Sequence, residues 1–403
     1  MKKKIMILGA GIYQVPLIRK AIEYGLSPVV VSIPGDYPGF ALADTCCYLD
    51  TRDFEQVLEA ARRERIAGIC TSGTDVAVRT IGYVCEALNL PGLSRAAACT
   101  VTDKYLMKTA FASHQVRTAP FQKAASLEDA LAAAKAIGYP VMIKAVDSSG
   151  NRGISRADFP SQAAGAYESA RKVTRRPYVL VEKYLSGIEI GVDGFIENGK
   201  IRLLLPHEKF VLQRKNATVT AGHAFPYHAG KEVLEDLTLQ IHKAVIAAGL
   251  DHCAFNADVL VLDNQAWVLE IGGRAGATCI PELISQYCGF DYYRKILDCA
   301  VGKPINFLTS SPIPCMARLL FSPVDGVLTA IDAPYLTHLK NQGILAQLDY
   351  PVGAAVRGVQ NGTDRLGQLI MQTEDSKVLE QAHTELCRHI KVNGKTLEEL
   401  WEN

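Results

Sequence analysis

The chain of 403 residues carries 43 Lys and Arg against 42 Asp and Glu, which leaves a formal net charge of +1 at pH 7. Such a length predicts about two to four domains with sizeable cores, and a balanced charge without a basic stripe argues against nucleic acid and favours small-molecule partners. The 11 cysteines have no Cys-x-x-Cys spacing, so we expect reduced thiols and a cytoplasmic location. No stretch approaches the ~20 apolar residues of a membrane span, so we expect no membrane partner.

The first hundred residues alternate between strand and helix patterns. The apolar run at the start is too short for a signal peptide, and we interpret residues 4–8 as a strand. A tight turn over 9–11, a helix over 13–24 and a second strand over 28–33 complete a βαβ unit. Gln14 stands where a dinucleotide fingerprint has its third glycine, so the evidence for a nicotinamide cofactor is weak.

The alternation continues through a helix over 53–65, a strand over 66–70 and a helix that ends at Leu88. The loop T-S-G-T-D before this last helix ends at Asp75. We interpret Asp75 as a cap of the helix, with a ligand group at the carboxyl end of a strand as the alternative. These patterns predict a small parallel α/β layer.

The next segment combines two lysines with a glycine-rich loop. Helices are predicted over 94–99 and 102–113, and Lys104 lies in the first turn of the second one, where it is either incidental or a phosphate partner. After a helix over 127–137, Lys144 is the only charge in the strand 141–145. The loop D-S-S-G-N-R-G that follows is either a phosphate-binding loop or a flexible surface hairpin, and it lacks the ending of a Walker motif.

Two acids then bracket a bend. Glu182 follows a buried-type strand over 178–181, and Glu189 opens a hairpin whose strands, 188–196 and 200–205, flank Asn198 and Gly199. Acids at the mouth of a sheet can bind an amino group and ribose hydroxyls, and the alternative is that both are solvated.

Two histidines follow this hairpin. His207 and His223, the latter in a predicted loop, are far apart in sequence, so we interpret them as ordinary polar contacts and not as a base or a metal site.

An acidic hairpin follows the predicted helix over 231–248. Strands over 254–262 and 267–271, joined by a three-residue loop, place Asp258 opposite Glu270. The apolar face is expected to hold Phe255, Ala257, Val259, Val261, Trp267, Leu269 and Ile271. Facing acids destabilise a sheet by roughly 0.2–1 kcal/mol, and a divalent cation would reverse that sign. Carboxylate oxygens are ligands that suit Mg²⁺, and Arg274, four residues after Glu270, could bind an anion. The alternative to a metal site is a hairpin with two solvated acids.

The remaining chain predicts a separate α+β domain. A helical region runs over 282–302, and Pro304 marks a boundary. From Cys315 onward we expect three or four short strands and then a helix over 376–390.

In this order and at these separations, four segments resemble the ATP-grasp carboxylate–amine ligases. They are D-K-Y-L-M-K from Asp103, I-K-A-V-D-S-S-G-N-R-G from Ile143, V-E-K-Y-L-S-G-I-E from Val181, and the acidic hairpin. The tail, with M-A-R-L-L-F-S-P-V-D-G from Met316 and G-T-D-R-L-G from Gly362, resembles the L-amino acid ligase branch. The resemblance implies a Rossmann-like layer over 1–100, a two-part ATP-grasp domain over 101–305 with a lid at about 115–180, and a small α+β domain over 306–403.

The resemblance also implies roles for individual residues. Lys104 and Lys144 would hold ATP phosphates under the closing loop, the backbone of 182–185 would bind adenine, and Glu189 the ribose. Asp258 and Glu270 would hold Mg²⁺, and Arg274 with Lys144 would be catalytic. The implied nucleotide-binding residues are Lys104, Lys144, Ser148, Ser149, Gly150, Gly153, Glu182, Lys183, Tyr184, Leu185 and Glu189. The implied reaction joins a small-molecule carboxylate to an amine and forms ADP.

Three positions depart from the family pattern. Gly272 replaces a common Asn, Asn256 replaces a common His, and Thr220 replaces a Glu of the dipeptide-forming branch. Gly272 leaves open an ATP-binding regulator without catalysis. A biotin-carboxylase-like enzyme with bicarbonate as the acceptor is a further alternative. A homodimer is also left open.

Overall fold

The computed structural model describes residues 2–148, 150, 152–214, 217–308 and 311–402. Ser149, a predicted phosphate ligand, lies outside the described residues. Two compact units divide the chain, and their ranges are, for the first, Met1–Leu205, His228–Gly276 and Tyr293–Asn306, and for the second, Pro206–Tyr227, Ala277–Tyr292 and Phe307–Asn403. The three-domain division given above stays a prediction. None of the helices in the described ranges combines the length and apolarity that a bilayer crossing requires.

A parallel sheet forms the start of the first unit. Its strand order is β3-β2-β1-β4, with all neighbours parallel. The elements are β1 Lys4–Leu8, α1 Val15–Glu23, β2 Ser27–Ser32, β3 Thr45–Tyr48, α2 Phe54–Glu64, β4 Gly68–Cys70 and α3 Val78–Leu88. The predicted α/β layer is confirmed. β3 was not predicted, because this short edge strand with the half-exposed sequence Thr-Cys-Cys-Tyr lacks a buried apolar run.

Gln14 ties the first turn of this sheet to the loop after β4. Its Oε1 accepts from the Gly11 backbone N–H at 3.1 Å, and its Nε2 donates to the Ser72 carbonyl at 2.6 Å. Gly9 has a φ of +100°, and a Cβ there would stand 2.8 Å from the Gln14 side chain. The residue that replaces the fingerprint glycine therefore fills the turn with its own amide.

An antiparallel four-stranded sheet, in the order β5-β8-β6-β7, follows in the first unit. The elements are α4 Arg95–Val101, α5 Lys104–Ser113, β5 Phe121–Ala124, α6 Leu127–Ile137, β6 Val141–Ala145, β7 Ile154–Ala157, α7 Pro160–Val173 and β8 Val179–Lys183. Alanines let the two helices pack closely on the sheet, because Ala134 of α6 and Ala170 of α7 are both fully buried against strand residues such as Val181.

Long strands follow these elements. The strands are β9 Ile188–Glu197, β10 Lys200–Arg214, β11 Ala217–Phe225, β12 Cys253–Leu262 and β13 Gln265–Gly272, and the helix α8, Lys231–Ala247, lies between β11 and β12 in the chain. The chain passes from the first unit to the second within β10. The predicted loop through Gly222 and His223 is wrong, because these residues lie in β11, where Gly222 pairs with Phe210 and His223 with Lys209.

The acidic hairpin of β12 and β13 has a shorter turn than predicted. Leu262 pairs with Gln265, so the loop consists of Asp263 and Asn264 alone, with φ of 50° and 60°. Asn and Asp tolerate this left-handed conformation, which a two-residue hairpin turn requires. The predicted three-residue loop is wrong.

A β-bulge restores the predicted acidic pair. Asp258 stands opposite Glu270, and the register shifts directly after Asp258, so that Leu269 is an extra residue in β13. The bulge also reverses which side chains of β13 alternate between the buried and the exposed face. Val268 is fully buried while Trp267 and Leu269 are half-buried, so the predicted core positions of Trp267 and Leu269 are wrong.

The second unit contains more elements than the sequence predicted. They are α9 Ile280–Cys288, β14 Cys315–Phe321, β15 Gly326–Ile331, α11 Ala333–Asn341, β16 Leu345–Leu348, β17 Ala355–Val356, β18 Arg365–Met371, α12 Ser376–Arg388, β19 Ile390–Val392, β20 Lys395–Thr396 and α13 Leu397–Trp401, while α10, Tyr292–Ala300, lies mostly in the first unit. The expectation of three or four strands is wrong because several strands are very short. The missed helix α11 carries sequence signals, since the Asp332 side chain caps it and Pro334 lies in its first turn.

Candidate active site

Glu182, at the end of β8, lies between two lysines of the first unit. Its Oε2 lies 3.2 Å from Lys108 Nζ, and its Oε1 forms an ion pair with Lys144 Nζ of β6. Lys108 and Glu182 are each only 2% exposed, and Lys108 also donates to Thr118 Oγ1 at 2.5 Å. Thr118 in turn donates to the Val268 carbonyl of β13 at 2.7 Å. The ion-paired group of Lys108, Glu182 and Lys144 is called the buried triad below.

The charges of the buried triad are mutually dependent. Burial favours the neutral acid, but Lys108 and Lys144 outweigh it and hold the pKa of Glu182 below its usual range. Burial would also lower the pKa of Lys144, but Glu182, followed by Glu270 and Glu189, raises it. For Lys108 burial prevails, and its pKa is lowered. Lys144 therefore stays cationic within reach of three acids.

Lys104 connects the loop after β6 to the acidic hairpin. Its Nζ donates to the Ser148 carbonyl at 2.9 Å and lies 3.2 Å from Glu270 Oε2. Its position is set by Asp103, which caps α5 and accepts from the Tyr178 hydroxyl at 2.7 Å. A cation that opposes the helix dipole is thus compensated by Glu270.

The loop 147–153 is closed at its base. The Ala145 N–H donates to the Gly153 carbonyl at 2.7 Å, and Asp147 Oδ1 accepts from Thr174 Oγ1 at 2.6 Å. Gly150 and Gly153 both have left-handed φ, but only Gly153 is tightly packed, with Ala145 Cβ 2.9 Å from where its own Cβ would be. Gly153 is therefore required by packing, whereas a Cβ added at Gly150 would meet no atom of the described residues within 4 Å.

The predicted adenine-binding segment, 182–185, begins in the last two residues of β8 and runs past the end of that strand. The Tyr184 N–H donates to the Pro140 carbonyl at 3.1 Å, and Lys183 Nζ donates to the Gly138 carbonyl at 2.8 Å. Leu185 is half-buried, and Glu189 is exposed at the start of β9. The Glu182 side chain lies in the buried triad, next to the backbone that would bind adenine.

The two acids of the hairpin fit the donor set of Mg²⁺. Asp258 and Glu270 are directly opposite in the register, and carboxylate oxygens are the ligands that this ion prefers. Within the described ranges, no group of three or more His, Cys, Asp and Glu side chains is arranged to hold a metal ion. A magnesium ion at this pair would therefore take its remaining ligands from phosphate oxygens and water.

Arg274 is held by an ion pair that the sequence analysis did not predict. Its Nε lies 2.8 Å from Asp75 Oδ1, and its Nη2 donates to Asp75 Oδ2 at 2.9 Å. The interpretation of Asp75 as a helix cap is wrong, because α3 begins at Val78 and its N-cap, Ala77, has no side-chain hydrogen bond. Burial opposes the charge of Arg274, but Asp75, followed by Asp193 and Asp258, raises its pKa.

Reasoning from the sequence missed three residues near these groups. Lys108 has the signal of a lysine on the apolar face of α5, four residues after Lys104. Asp193 is fully buried in β9, where a carboxylate inside an apolar run indicates a specific partner. Asn256 supplies that partner, and it was noted only as a departure from a family pattern.

His207 and His223 are brought together in the second unit, although they are 16 positions apart. The hairpin of β10 and β11 places their ring centroids 4.8 Å apart, and His223 Nε2 lies 2.7 Å from Thr278 Oγ1. Burial holds the pKa of His223 well below its usual value. The separation in sequence therefore did not indicate how close the two rings lie. The interpretation of both histidines as ordinary polar contacts stays a prediction.

The segment that carries most of these residues matches a known family. The model of the carbamoyl-phosphate synthase L chain, ATP binding domain, matches residues 103–193. The phosphoribosylglycinamide synthetase of Anaerococcus prevotii shares the fold with a TM-score of 0.80 and 26% identity, over 98% of this chain and 100% of that one. The chain belongs to the ATP-grasp superfamily. The predicted superfamily and fold class are thereby confirmed.

Other ATP-grasp matches cover different shares of their proteins. The carbamoyl phosphate synthase large chain of Thermotoga neapolitana is 25% identical over 345 residues, which are 79% of this chain but only 30% of that protein. The chain thus spans less than a third of that relative. The L-amino acid ligase of Bacillus licheniformis has a TM-score of 0.80 over 98% of this chain and 99% of that one, and its 18% identity shows the fold alone.

Proposed function

We propose that the chain is an ATP-dependent ligase that joins a carboxylate to an amine and releases ADP and phosphate. The observation that carries the proposal is the convergence of charged groups in the first unit. Glu270 forms an ion pair with Lys104 and contributes to raising the pKa of Lys144. Asp258, opposite Glu270, contributes to raising the pKa of Arg274. Cations and acids in such an alternating arrangement suit the terminal phosphates of a nucleotide.

The first step joins two anions. A substrate carboxylate oxygen attacks the γ-phosphorus, the bond from that phosphorus to the bridging oxygen breaks, and ADP leaves. Lys104, Lys144 and Arg274 reduce the repulsion by positioning positive charge around the transferred group. Asp258 and Glu270 would hold Mg²⁺, which when bound neutralises developing charge on the phosphate oxygens.

The second step forms the new bond to nitrogen. A neutral amine attacks the carbonyl carbon of the acyl phosphate, phosphate leaves with the electrons of the carbon–oxygen bond, and the amine loses a proton. An α-amino group has a pKa of about 7.7–8.0, so a useful fraction is neutral without a strong base. Water competes with the amine, and closure of the loop 147–153 would exclude it.

Amino acids are the proposed substrates. The tail segments starting at Met316 and Gly362 support this class, and Thr220 departs from it. A phosphoribosylated amine is the second candidate, because the phosphoribosylglycinamide synthetase match is the more similar in sequence, with 26% identity against 18% for the L-amino acid ligase. We further propose a monomer or homodimer located in the cytoplasm.

Nucleotide product analysis tests the reaction class. The protein is incubated with MgATP and pairs of candidate carboxylates and amines, and the products are separated by chromatography. We expect ADP and phosphate, with an amide product only when both substrates are present. Arg274→Ala should abolish turnover and leave MgATP binding largely intact. AMP and pyrophosphate would contradict the proposal, and bicarbonate-dependent ADP formation would favour the biotin-carboxylase-like alternative.

A further inference from the structure

The loop after β4 is fixed against the segment that follows β13. Ser72 forms a parallel bridge with Ala275, and the Gly73 N–H donates to the Ala275 carbonyl at 3.2 Å. Gln14 also holds this loop, because its Nε2 donates to the Ser72 carbonyl at 2.6 Å. The position of Asp75 relative to Arg274 is therefore set by backbone contacts and not by two mobile side chains.

Asp75 occupies one edge of the Arg274 guanidinium. Nη2 donates to Asp75 Oδ2 at 2.9 Å, a charge-assisted hydrogen bond, and Nε lies 2.8 Å from Oδ1 as an ion-pair contact. The Arg274 side chain is 13% exposed, so solvent screens this pair less than a surface pair.

The opposite edge of the guanidinium is held by amide and carbonyl groups. Nη1 donates to Asn256 Oδ1 at 3.1 Å and to the Ala275 carbonyl at 3.2 Å. Asn256 is itself fixed, because its Nδ2 donates to Asp193 Oδ2 at 2.7 Å. A guanidinium has five N–H groups, and within the described part of the chain these hydrogen bonds leave the second N–H of Nη2 available to an anionic ligand.

Gly272 makes room for the Asp75 carboxylate. A Cβ at position 272 would lie 3.0 Å from Asp75 Oδ1, closer than an ordinary van der Waals contact. The position that departs from the family pattern is thus the one where a side chain would displace the partner of Arg274.

We propose that Asp75 is the positioning residue of Arg274, and that the absence of a side chain at Gly272 is what allows it to act so. The inference rests on the proposed function, in which Arg274 contacts the transferred phosphoryl group. Without Asp75, the guanidinium would be drawn toward the neighbouring acids Asp193 and Asp258, and its free N–H would no longer point at the phosphate.

Two substitutions and their combination test this inference. Asp75→Ala and Gly272→Ala are each expected to lower MgATP turnover about 10- to 100-fold, the loss that a misplaced catalytic group produces. The dissociation constant for MgADP should change less than about threefold, because neither residue is placed at the nucleotide. In the double variant, Gly272→Ala should add no further loss, since the carboxylate it displaces is already gone. Asp50→Ala removes an exposed ion pair with Arg52 in the same unit and should behave like the wild type.

Turnover is measured as ADP formation from MgATP with a mixture of the standard L-amino acids, and MgADP binding by calorimetry. Equal turnover in Asp75→Ala and the wild type, or multiplicative losses in the double variant, would overturn the inference alone. A wild type that binds no MgADP and forms no ADP would overturn the proposed function and the inference with it. If Asp75→Ala fails to fold by circular dichroism, Gly272→Ala decides, because it retains both charges.

Discussion

Glu182 carries a single negative charge between two lysines, the buried Lys108 and the partly buried Lys144. Its side chain and that of Lys108 are almost inaccessible to water, so the carboxylate is stable as an anion only because both lysines face it. Removing one member of a buried ion pair typically costs about 3–5 kcal/mol, because the remaining charge is left without compensation. The residue that opens the implied adenine-binding segment therefore also supports the fold through its side chain.

Glu182→Gln should lower the free energy of unfolding at pH 7 by about 3 kcal/mol, since it leaves Lys108 and Lys144 without their anion. The pKa of Glu182 is lowered in the folded protein, so its contribution is fully present above the unfolded value of about 4.3 and is lost as the pH falls through the folded value. Urea unfolding of both proteins between pH 7 and pH 3 measures the difference, which should shrink below about pH 4.3.

Glu23→Gln is the matched control for this experiment. Glu23 forms an exposed pair with Lys20, and exposed pairs contribute at most about 1 kcal/mol. A stability difference for Glu182→Gln that is as small as the control, or that does not depend on pH, would contradict the role of the buried triad.

At the scale of elements, the two glycines of the loop 147–153 occupy their positions for different physical reasons. Gly153 has a φ of +68°, and a Cβ there would lie 2.9 Å from both Ala145 Cβ and Val173 Cβ. Gly150 has a φ of +67°, and among the described residues a Cβ added there would meet no atom within 4 Å. The loop thus has a packed base at Gly153 and an open position at Gly150, where a phosphate can approach the backbone.

Gly153→Ala should destabilise the first unit by about 2–4 kcal/mol, the sum of left-handed strain and overpacking. Gly150→Ala should cost only the strain, about 1–2 kcal/mol, and should weaken MgATP binding if the loop closes over phosphate. Unfolding free energies and MgATP-dependent hydrogen exchange across 147–154 measure the two effects. Equal destabilisation by both variants, or exchange that is indifferent to MgATP, would contradict this division.

At the scale of the whole molecule, the proposed nucleotide and metal groups all belong to the first unit. Lys104, Lys144, Asp258, Glu270 and Arg274 lie within its ranges, as do their ion-pair partners Glu182 and Asp75. The second unit holds the histidine pair and a separate core around β14 and β18. Nucleotide should therefore stabilise the first unit directly.

MgADP at about 100 times its dissociation constant should stabilise the unit that binds it by about 2.7 kcal/mol. Glu270→Gln should remove most of this gain, because it removes one metal ligand and the ion-pair partner of Lys104. Chelation of magnesium with EDTA should have a similar effect, because it removes the metal ion itself. Thermal unfolding by calorimetry, with ADP present throughout, measures the shift. Glu168→Gln, an exposed substitution in α7, is the control. A full MgADP shift in Glu270→Gln would refute the metal assignment.

The sequence by itself determined the elements whose signals are local. The bounds of α6 and β6 agree with prediction, because a capping box at Ser126 begins the helix and Gly138 ends it within a few residues. The facing acids Asp258 and Glu270 were also predicted, although the turn and the bulge that align them were not. The alternation of apolar and polar residues along a strand is a short-range pattern, and it does not reveal where a bulge inserts one extra residue.

Only the tertiary structure decided which charges meet. Asp75 and Arg274 are 199 positions apart, and nothing in either neighbourhood distinguishes an ion-pair partner from a helix cap. Lys108 likewise looked like one more residue of α5 until β8 placed Glu182 beside it. Charges act through space and not along the chain, so their partners follow from how sheets and loops pack.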